Sequence, residues 1–415
     1  MITSGAVASS TPSPPRPPRL ASIDIFRGLT IAGMILVNDP GDPENVFAPL
    51  RHSVWNGWTP TDLVFPFFLF IVGVTTQLSL ARREAAGVSG SGVRRAVFSR
   101  SLLIFALGLL VTGYPFYDNP GVAGPAWLPA PFGHIVSHLA HFRILGVLQR
   151  IAIAYFAASL IAWKASTKRV AIVAAVLLLG YWAAMTLLPV PGEGEVGRTL
   201  LNDPARTLSA WVDRTTLDWT GWGLGRHLWE GSVTYDPEGL FSTIPAIGTV
   251  LFGVLAGRWL QSPGAAVERL SALCAAGAIA MCAGLVWGWV FPINKPIWTS
   301  SYVLFTAGVA CLSLGTIAWC VDVMRWEKWL KPFLVFGTNP ILAYVGSELL
   351  ARILHSSIKL EVDGHRVGTE VAVVRGFEAL GADPRVASML WATAYVALWL
   401  VILTPLYRRK IFLRV

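Results

Sequence analysis

The sequence predicts an all-α polytopic membrane protein of about ten transmembrane helices with both termini cytoplasmic. Three observations lead there. Of 415 residues, 54% are hydrophobic and 14% charged, whereas a soluble domain carries about 25% charged residues. The apolar residues gather into runs of about 20, the length that crosses a ~30 Å hydrocarbon core. Lysines and arginines are divided unevenly between alternate connections, twenty on the side of the N-terminus and eleven on the other. The positive-inside rule reads that asymmetry as a cytoplasmic N-terminus. The net charge of +9 is therefore an orientation signal and implies no nucleic-acid partner.

Residues 1–19, "MITSGAVASSTPSPPRPPR", are rich in Ser and Pro without apolar periodicity. They read as a disordered cytoplasmic tail and not as a signal peptide, which needs an apolar stretch before its cleavage site. Residues 20–415 then form a single transmembrane domain. Its expected spans are 20–38, 61–81, 98–115, 143–163, 169–189, 240–260, 270–291, 300–321, 332–354 and 387–407. "EAAGVSGSG" (84–92) is expected to be a flexible cytoplasmic link. The long connections, 39–60, 116–142, 190–239 and 355–386, all fall on the non-cytoplasmic side, where function on loops held by a rigid scaffold is to be sought. Cys274, Cys282, Cys311 and Cys320 lie inside the seventh and eighth spans, so no disulfide framework is implied.

Polar residues at membrane depth are costly and point to sites. In chain order, Asp24 and Arg27 sit at i,i+3 in the first span and fit a local ion pair. Asn38 closes that span at the outer surface. His52, Trp55 and Asn56 precede "TPTD" (59–62), where Thr59 fits an N-cap, Pro60 the first helical position and Asp62 the capping carboxylate. His134, His138 and His141 have helical spacing but no accompanying Cys, Asp or Glu, so an interfacial amphipathic helix fits better than a metal site. Gln149 and Arg150 lie about two turns inside the fourth span. Arg150 fits either a packing ion pair or a group that holds phosphate or polarises a carbonyl. Asn294 and Lys295, between two prolines in "FPINKPIWTSSY" (291–302), fit either an ordinary turn or a rigid polar finger. Asn339, Ser347 and Glu348 interrupt an otherwise apolar span, and Pro340 frees a backbone carbonyl there. On residue types alone, a neutral His52 at the outer mouth can act as a general base, with Asn38 and Asn294 amides as oxyanion donors.

The stretches "RLASIDIFRG", "LVN", "HSVWNGWTPTDLVFPFFLFIVG", "GVLQRIAIAYF", "LLPVPG", "YDPEGLFSTIPAIGTVLFGVLAG", "PINKPIWTSSYV", "GTNPILAYVGSE" and "YRRKIF" follow one another in that order. Taken together they resemble the heparan-α-glucosaminide N-acetyltransferase family and its bacterial amino-sugar acetyltransferase relatives, over nearly the whole chain after residue 19. The resemblance implies a transmembrane acyltransferase that moves an acetyl group from cytosolic acetyl-CoA, with no metal, to the amine of a terminal glucosamine on the opposite side. It matches the family's active-site histidine to His52 and the asparagine ending the first span to Asn38. It carries Asn294 and Lys295 into the substrate site, and Arg27, Trp55, Asp62, Arg150, Asn339 and Glu348 are further candidates for binding substrate or acetyl-CoA.

Two departures bear on the acceptor. Lysosomal members carry an extra luminal domain before these spans where this chain has a proline-rich tail, and the connection between Asn38 and His52 is longer and more acidic. A small amino sugar or cell-envelope saccharide, in a bacterial inner membrane, is expected rather than heparan. His52 either takes a proton from the attacking amine or is itself acylated, and direct attack is the simpler route. An amino-sugar transporter or a saccharide O-acyltransferase is the competing reading, and a homodimer is left open.

Overall fold

The computed structural model describes residues 21–116, 141–220, 226–229, 234–362 and 364–413. Its helices in chain order are α1 (Ala21–Asn38), α2 (Val64–Ala85), α3 (Gly90–Gly113), α4 (Val147–Ala162), α5 (Thr167–Leu187), α6 (Leu208–Leu217), α7 (Thr243–Leu260), α8 (Ala266–Trp287), α9 (Ser300–Ala318), α10 (Lys331–Thr338), α11 (Pro340–Arg352), α12 (Thr369–Ala379) and α13 (Pro384–Arg408). A two-stranded antiparallel hairpin, β1 (Lys359–Val362) and β2 (His365–Gly368), pairs Lys359 with Gly368 and Val362 with His365.

Local caps set several helix starts. Ser89, Ser166 and Asp383 accept from the backbone N–H groups of Gly92, Arg169 and Arg385 at the heads of α3, α5 and α13. The Ser89 cap draws α3 eight residues earlier than hydropathy predicts. The expected link 84–92 shrinks to 86–89, because α2 itself runs to Ala85.

Among the described residues, eight helices are long and apolar enough to cross a bilayer. The expected span 332–354 is instead the pair α10 and α11, bent by 76°. The break sits at Asn339, whose backbone leaves the helical region (φ −132, ψ 56), followed by Pro340 at the head of α11. Counted as one crossing, the pair makes a ninth. The expected span 143–163 is a 16-residue apolar helix, α4, about 24 Å long at 1.5 Å per residue and short against a ~30 Å core.

Glycines permit the closest crossings. A Cβ on Gly28 of α1 would lie 1.6 Å from the Phe333 carbonyl oxygen of α10, and one on Gly337 would lie 1.8 Å from that of Asp24. Gly73 of α2 and Gly253 of α7 meet in the same way, each at 2.0 Å from the other helix's backbone. Such backbone approach is how membrane helices gain packing without a hydrophobic driving force. Arg27 fastens the first crossing, with Nε donating to the Gly337 carbonyl at 2.9 Å and Nη2 to Asp24 Oδ1 at 2.5 Å.

The chain's alternation gives the bundle two different ends. At one, Arg258 closing α7 donates to Gln77 of α2 (3.1 Å) and to the Ala162 carbonyl closing α4 (3.0 Å). At the other, the connections 39–63, 188–242, 288–299 and 353–383 come together. A separate apolar cluster of Tyr181, Met185, Leu200, Phe291 and Ile297, with Trp55 packed on it, supports the first three.

Gly28→Val should force the α1–α10 crossing apart and cost about 3 kcal/mol or more, the upper range for overpacking. Gly180→Ala, where an added Cβ meets nothing within 4 Å, should be neutral. Thermal unfolding in detergent, with the yield of monodisperse protein, checks the contrast.

Candidate active site

The connection into α2 is shaped around one carboxylate. Gly57 takes a left-handed backbone (φ 100) that a side chain would strain, and its N–H donates to the Ile293 carbonyl at 2.8 Å. The chain thus turns back so that His52 faces Asp62. Asp62 is fully buried. Its Oδ2 accepts from the backbone N–H groups of Ser53 (3.1 Å) and Thr59 (3.0 Å), and its Oδ1 lies 2.7 Å from His52 Nδ1. Tyr302 of α9 donates its hydroxyl to the Asp62 carbonyl at 2.5 Å. A carboxylate can only accept, so the network assigns the ring proton to Nδ1 and leaves Nε2 as the ring's acceptor. The His52 side chain is 50% exposed.

A second loop brings Lys295 to the same ring. Asn294 is buried and structural in its bonds: Oδ1 accepts from Ile297 N–H (3.0 Å), its N–H donates to Thr299 Oγ1 (3.0 Å), and Nδ2 donates to Asn56 (3.1 Å). Trp298, 1% exposed, is held at φ 49. That conformation persists only where surroundings enforce it; here Phe65, Tyr302 and the Arg150 guanidinium pack on its ring. From this rigid loop Lys295 Nζ reaches 3.0 Å from His52 Nδ1, 3.3 Å from Nε2 and 3.6 Å from Asp62 Oδ1. Burial pushes its ammonium down from the usual lysine range, while Asp62 and Glu238 oppose the shift and Arg150 reinforces it. Trp55 donates its indole N–H to the Leu201 carbonyl (2.9 Å) and meets Tyr235 edge-on.

Beneath these loops lies an ionic cluster. Arg143 forks onto Asp236 (Nε to Oδ2, 2.9 Å) and onto Glu238. Arg150 is fully buried, donates to the Ser242 hydroxyl and, at 3.3 Å, to the Gly239 carbonyl, and its guanidinium carbon lies 5.0 Å from the Trp298 ring centroid. Its Nε and Nη1 are buried without a hydrogen-bond partner. Burial outweighs the other influences on Asp213 and pushes its carboxyl up to about 7, despite the Asp236 N–H it accepts. Glu238 is held below the usual range: burial opposes ionisation, and Arg143 and Arg150 overcome it.

Asn38 ends α1 at this face, but its amide donates to Glu348 of α11 at 2.9 Å rather than to His52. Beside them, burial pushes the Asp39 carboxyl up to about 8, with Glu348 adding to the shift and Arg352 opposing it. Arg27 and Asn339 lie elsewhere. Arg27 serves the α1–α10 crossing, and Asn339 ties down the C-terminal segment, donating to the Ile411 carbonyl (3.0 Å) and accepting from Leu413 N–H (2.8 Å). His134 and His138 lie outside the described residues. Among the described residues no three His, Cys, Asp or Glu side chains are arranged to hold a metal ion.

The model of the catalytic family of heparan-alpha-glucosaminide N-acetyltransferase matches residues 19–286. The chain belongs to this acyltransferase family. The human and mouse heparan-alpha-glucosaminide N-acetyltransferases are each 29% identical to it, over 96% of this chain. The chain spans 60% of their length.

The region matched to the N-acetyltransferase family holds Asn38, His52, Asp62, Arg150 and the ionic cluster, and ends before Lys295 and Glu348. The sequence does not single out Asp213, Asp236 or Glu238 as site residues. The one signal for Asp236 and Glu238 is "DPEG" beside an apolar run, with Arg143 some ninety residues away, and Asp213 carries no local signal at all.

Asp213 yields a pH prediction. Its carboxyl rises from 3.8 to about 7 on folding, so the unfolded chain releases this proton first. The stability it contributes is intact below about pH 4 and lost as pH rises to 7. Asp213→Asn should flatten that part of the profile, read as the difference between the two proteins' melting temperatures from pH 4 to 8.

Proposed function

We propose that this protein is a transmembrane N-acetyltransferase. It transfers the acetyl group of cytosolic acetyl-CoA to the amine of a glucosamine-type sugar presented at the His52 end of the bundle. Family membership supports the reaction class, and the glucosaminide specificity that names the human and mouse relatives supports a glucosaminide acceptor. The observation that carries the site is the His52–Asp62 pair, with Nδ1 held at 2.7 Å and Nε2 left to work as a base.

The sugar amine attacks the thioester carbonyl. Nε2 of His52 takes the amine proton, and Asp62 steadies the imidazolium that forms, as a buried carboxylate does in acyl-transfer triads. The proton then passes to the departing CoA thiolate. Asn38 has a second amide N–H beyond the one given to Glu348 and serves as a donor to the oxyanion. Arg150 and the ionic cluster hold the floor of the loops.

The other end suits CoA's head. A cavity of about 490 Å³ opens there among Cys320, Arg325, Trp326, Glu327, Lys328, Trp329 and Leu330, with Trp326 and Trp329 exposed. Two cations for phosphate and two indoles for adenine fit that head, which cannot enter hydrocarbon cheaply. We place the protein in a bacterial inner membrane, with a small amino sugar or envelope saccharide as acceptor. The transporter reading draws support from one feature, the 76° break in the α10–α11 pair.

Protein in lipid nanodiscs should move labelled acetyl from CoA to glucosamine. His52→Ala should abolish this while the protein stays folded and monodisperse, and an active His52→Ala would remove the histidine from the mechanism. Arg150→Met should lower both stability and activity, because it removes the group that bonds Ser242 and the Gly239 carbonyl and packs on the Trp298 ring. Arg198→Met, exposed on the single helical turn Gly197–Leu200, should change neither. Uptake of unmodified sugar by proteoliposomes without acetyl-CoA would favour transport.

A further inference from the structure

Lys295 brings to the site something the proposed reaction does not require, a primary amine resident against the base. Asp62 holds Nδ1 of His52, so the acceptor that remains to the ring is Nε2, and Lys295 Nζ lies against the ring, 3.0 Å from Nδ1 and 3.3 Å from Nε2. An acceptor amine that gives up its proton to Nε2 must bring its nitrogen within hydrogen-bond reach of the same atom. Lys295 and a sugar amine are thus the same functional group, both within reach of one base.

The Lys295 side chain is 19% exposed and shares the mouth in which His52 is half exposed. Its loop holds it there through the buried Asn294 bonds and the enforced backbone of Trp298. Burial favours the neutral, nucleophilic amine. By contrast Lys359, also on this side of the bundle, is exposed, and its ammonium bonds the His355 backbone carbonyl at 2.6 Å.

We infer that Lys295 is itself an acetyl acceptor, modified by acetyl-CoA when no sugar occupies the site. This rests on the reading of His52 as the base. The Nζ lone pair attacks the thioester carbonyl and forms the C–N bond. As the adduct collapses the C–S bond breaks, and His52 Nε2 carries the amine proton to the leaving thiolate. The products are Nε-acetyl-lysine and CoA thiol. The acetyl group removes the Lys295 charge and adds bulk against the imidazole, so the modified protein is inactive. Sugar protects by displacing the lysine amine from Nε2.

The test uses the full chain in nanodiscs, incubated with acetyl-labelled acetyl-CoA without sugar and mapped by peptide mass spectrometry. Label should accumulate on Lys295 as an amide stable to neutral hydroxylamine. It should exceed label on Lys359 by at least about a hundredfold, the reach of general-base assistance. Glucosamine should suppress it, His52→Ala should abolish it, and it should track the loss of subsequent sugar acetylation. Lys295→Arg should not lose activity progressively during preincubation with acetyl-CoA. Three results overturn the inference and leave the acetyltransferase standing: sugar acetylated while Lys295 stays unlabelled; equal label on Lys295 and Lys359 that survives His52→Ala; or label released by hydroxylamine, which marks an acyl-histidine. If neither sugar nor Lys295 is labelled, both readings fall together.

Discussion

The Asp62 carboxylate is the point on which the functional end of this bundle depends. One oxygen ties the Ser53 and Thr59 N–H groups, which fixes the loop and closes the start of α2. The other holds His52 at 2.7 Å. A buried carboxylate is tolerable only if its lone pairs are used, and here each use constrains a different piece of chain. The requirement that stabilises the helix start is the same one that orients the imidazole, so fold and candidate chemistry share a single side chain.

Around that carboxylate the rest of the site is arranged by rigidity rather than by proximity in sequence. Tyr302 grips the backbone of Asp62 from α9, and Trp298 packs between Phe65 and Arg150. Arg150 in turn faces the ionic cluster of Asp213, Asp236 and Glu238. The loops that carry His52 and Lys295 are therefore braced from below by charge and from the side by aromatic packing. Such bracing keeps a reacting constellation within the tolerance that catalysis demands.

Much of this was legible in the sequence. Apolar runs and basic asymmetry gave the bundle, "TPTD" gave the capped start of α2, and Asp24 with Arg27 gave an i,i+3 pair. What sequence could not supply is the second partner in each case. Asp62 reads as a cap because that role is local; its bond to His52 needs Gly57 to turn the loop back, which spacing alone does not specify. Arg27 also grips Gly337, 310 residues away. Pro340 marks a break, but the role of Asn339 in fastening Leu413 depends on where the C-terminus returns. The Arg143–Asp236 pair is invisible for the same reason, since neither residue carries a local signal for the other.

The proposed reaction depends on sidedness: His52 at one end and Arg325 with Lys328 at the other can act together only if acetyl crosses while the substrates do not. Sealed proteoliposomes with acetyl-CoA trapped inside and glucosamine outside test it directly. N-acetylglucosamine should appear outside, with CoA thiol retained inside and no sugar in the lumen. Product formed only when both substrates share a compartment, or free glucosamine accumulating inside, would contradict it.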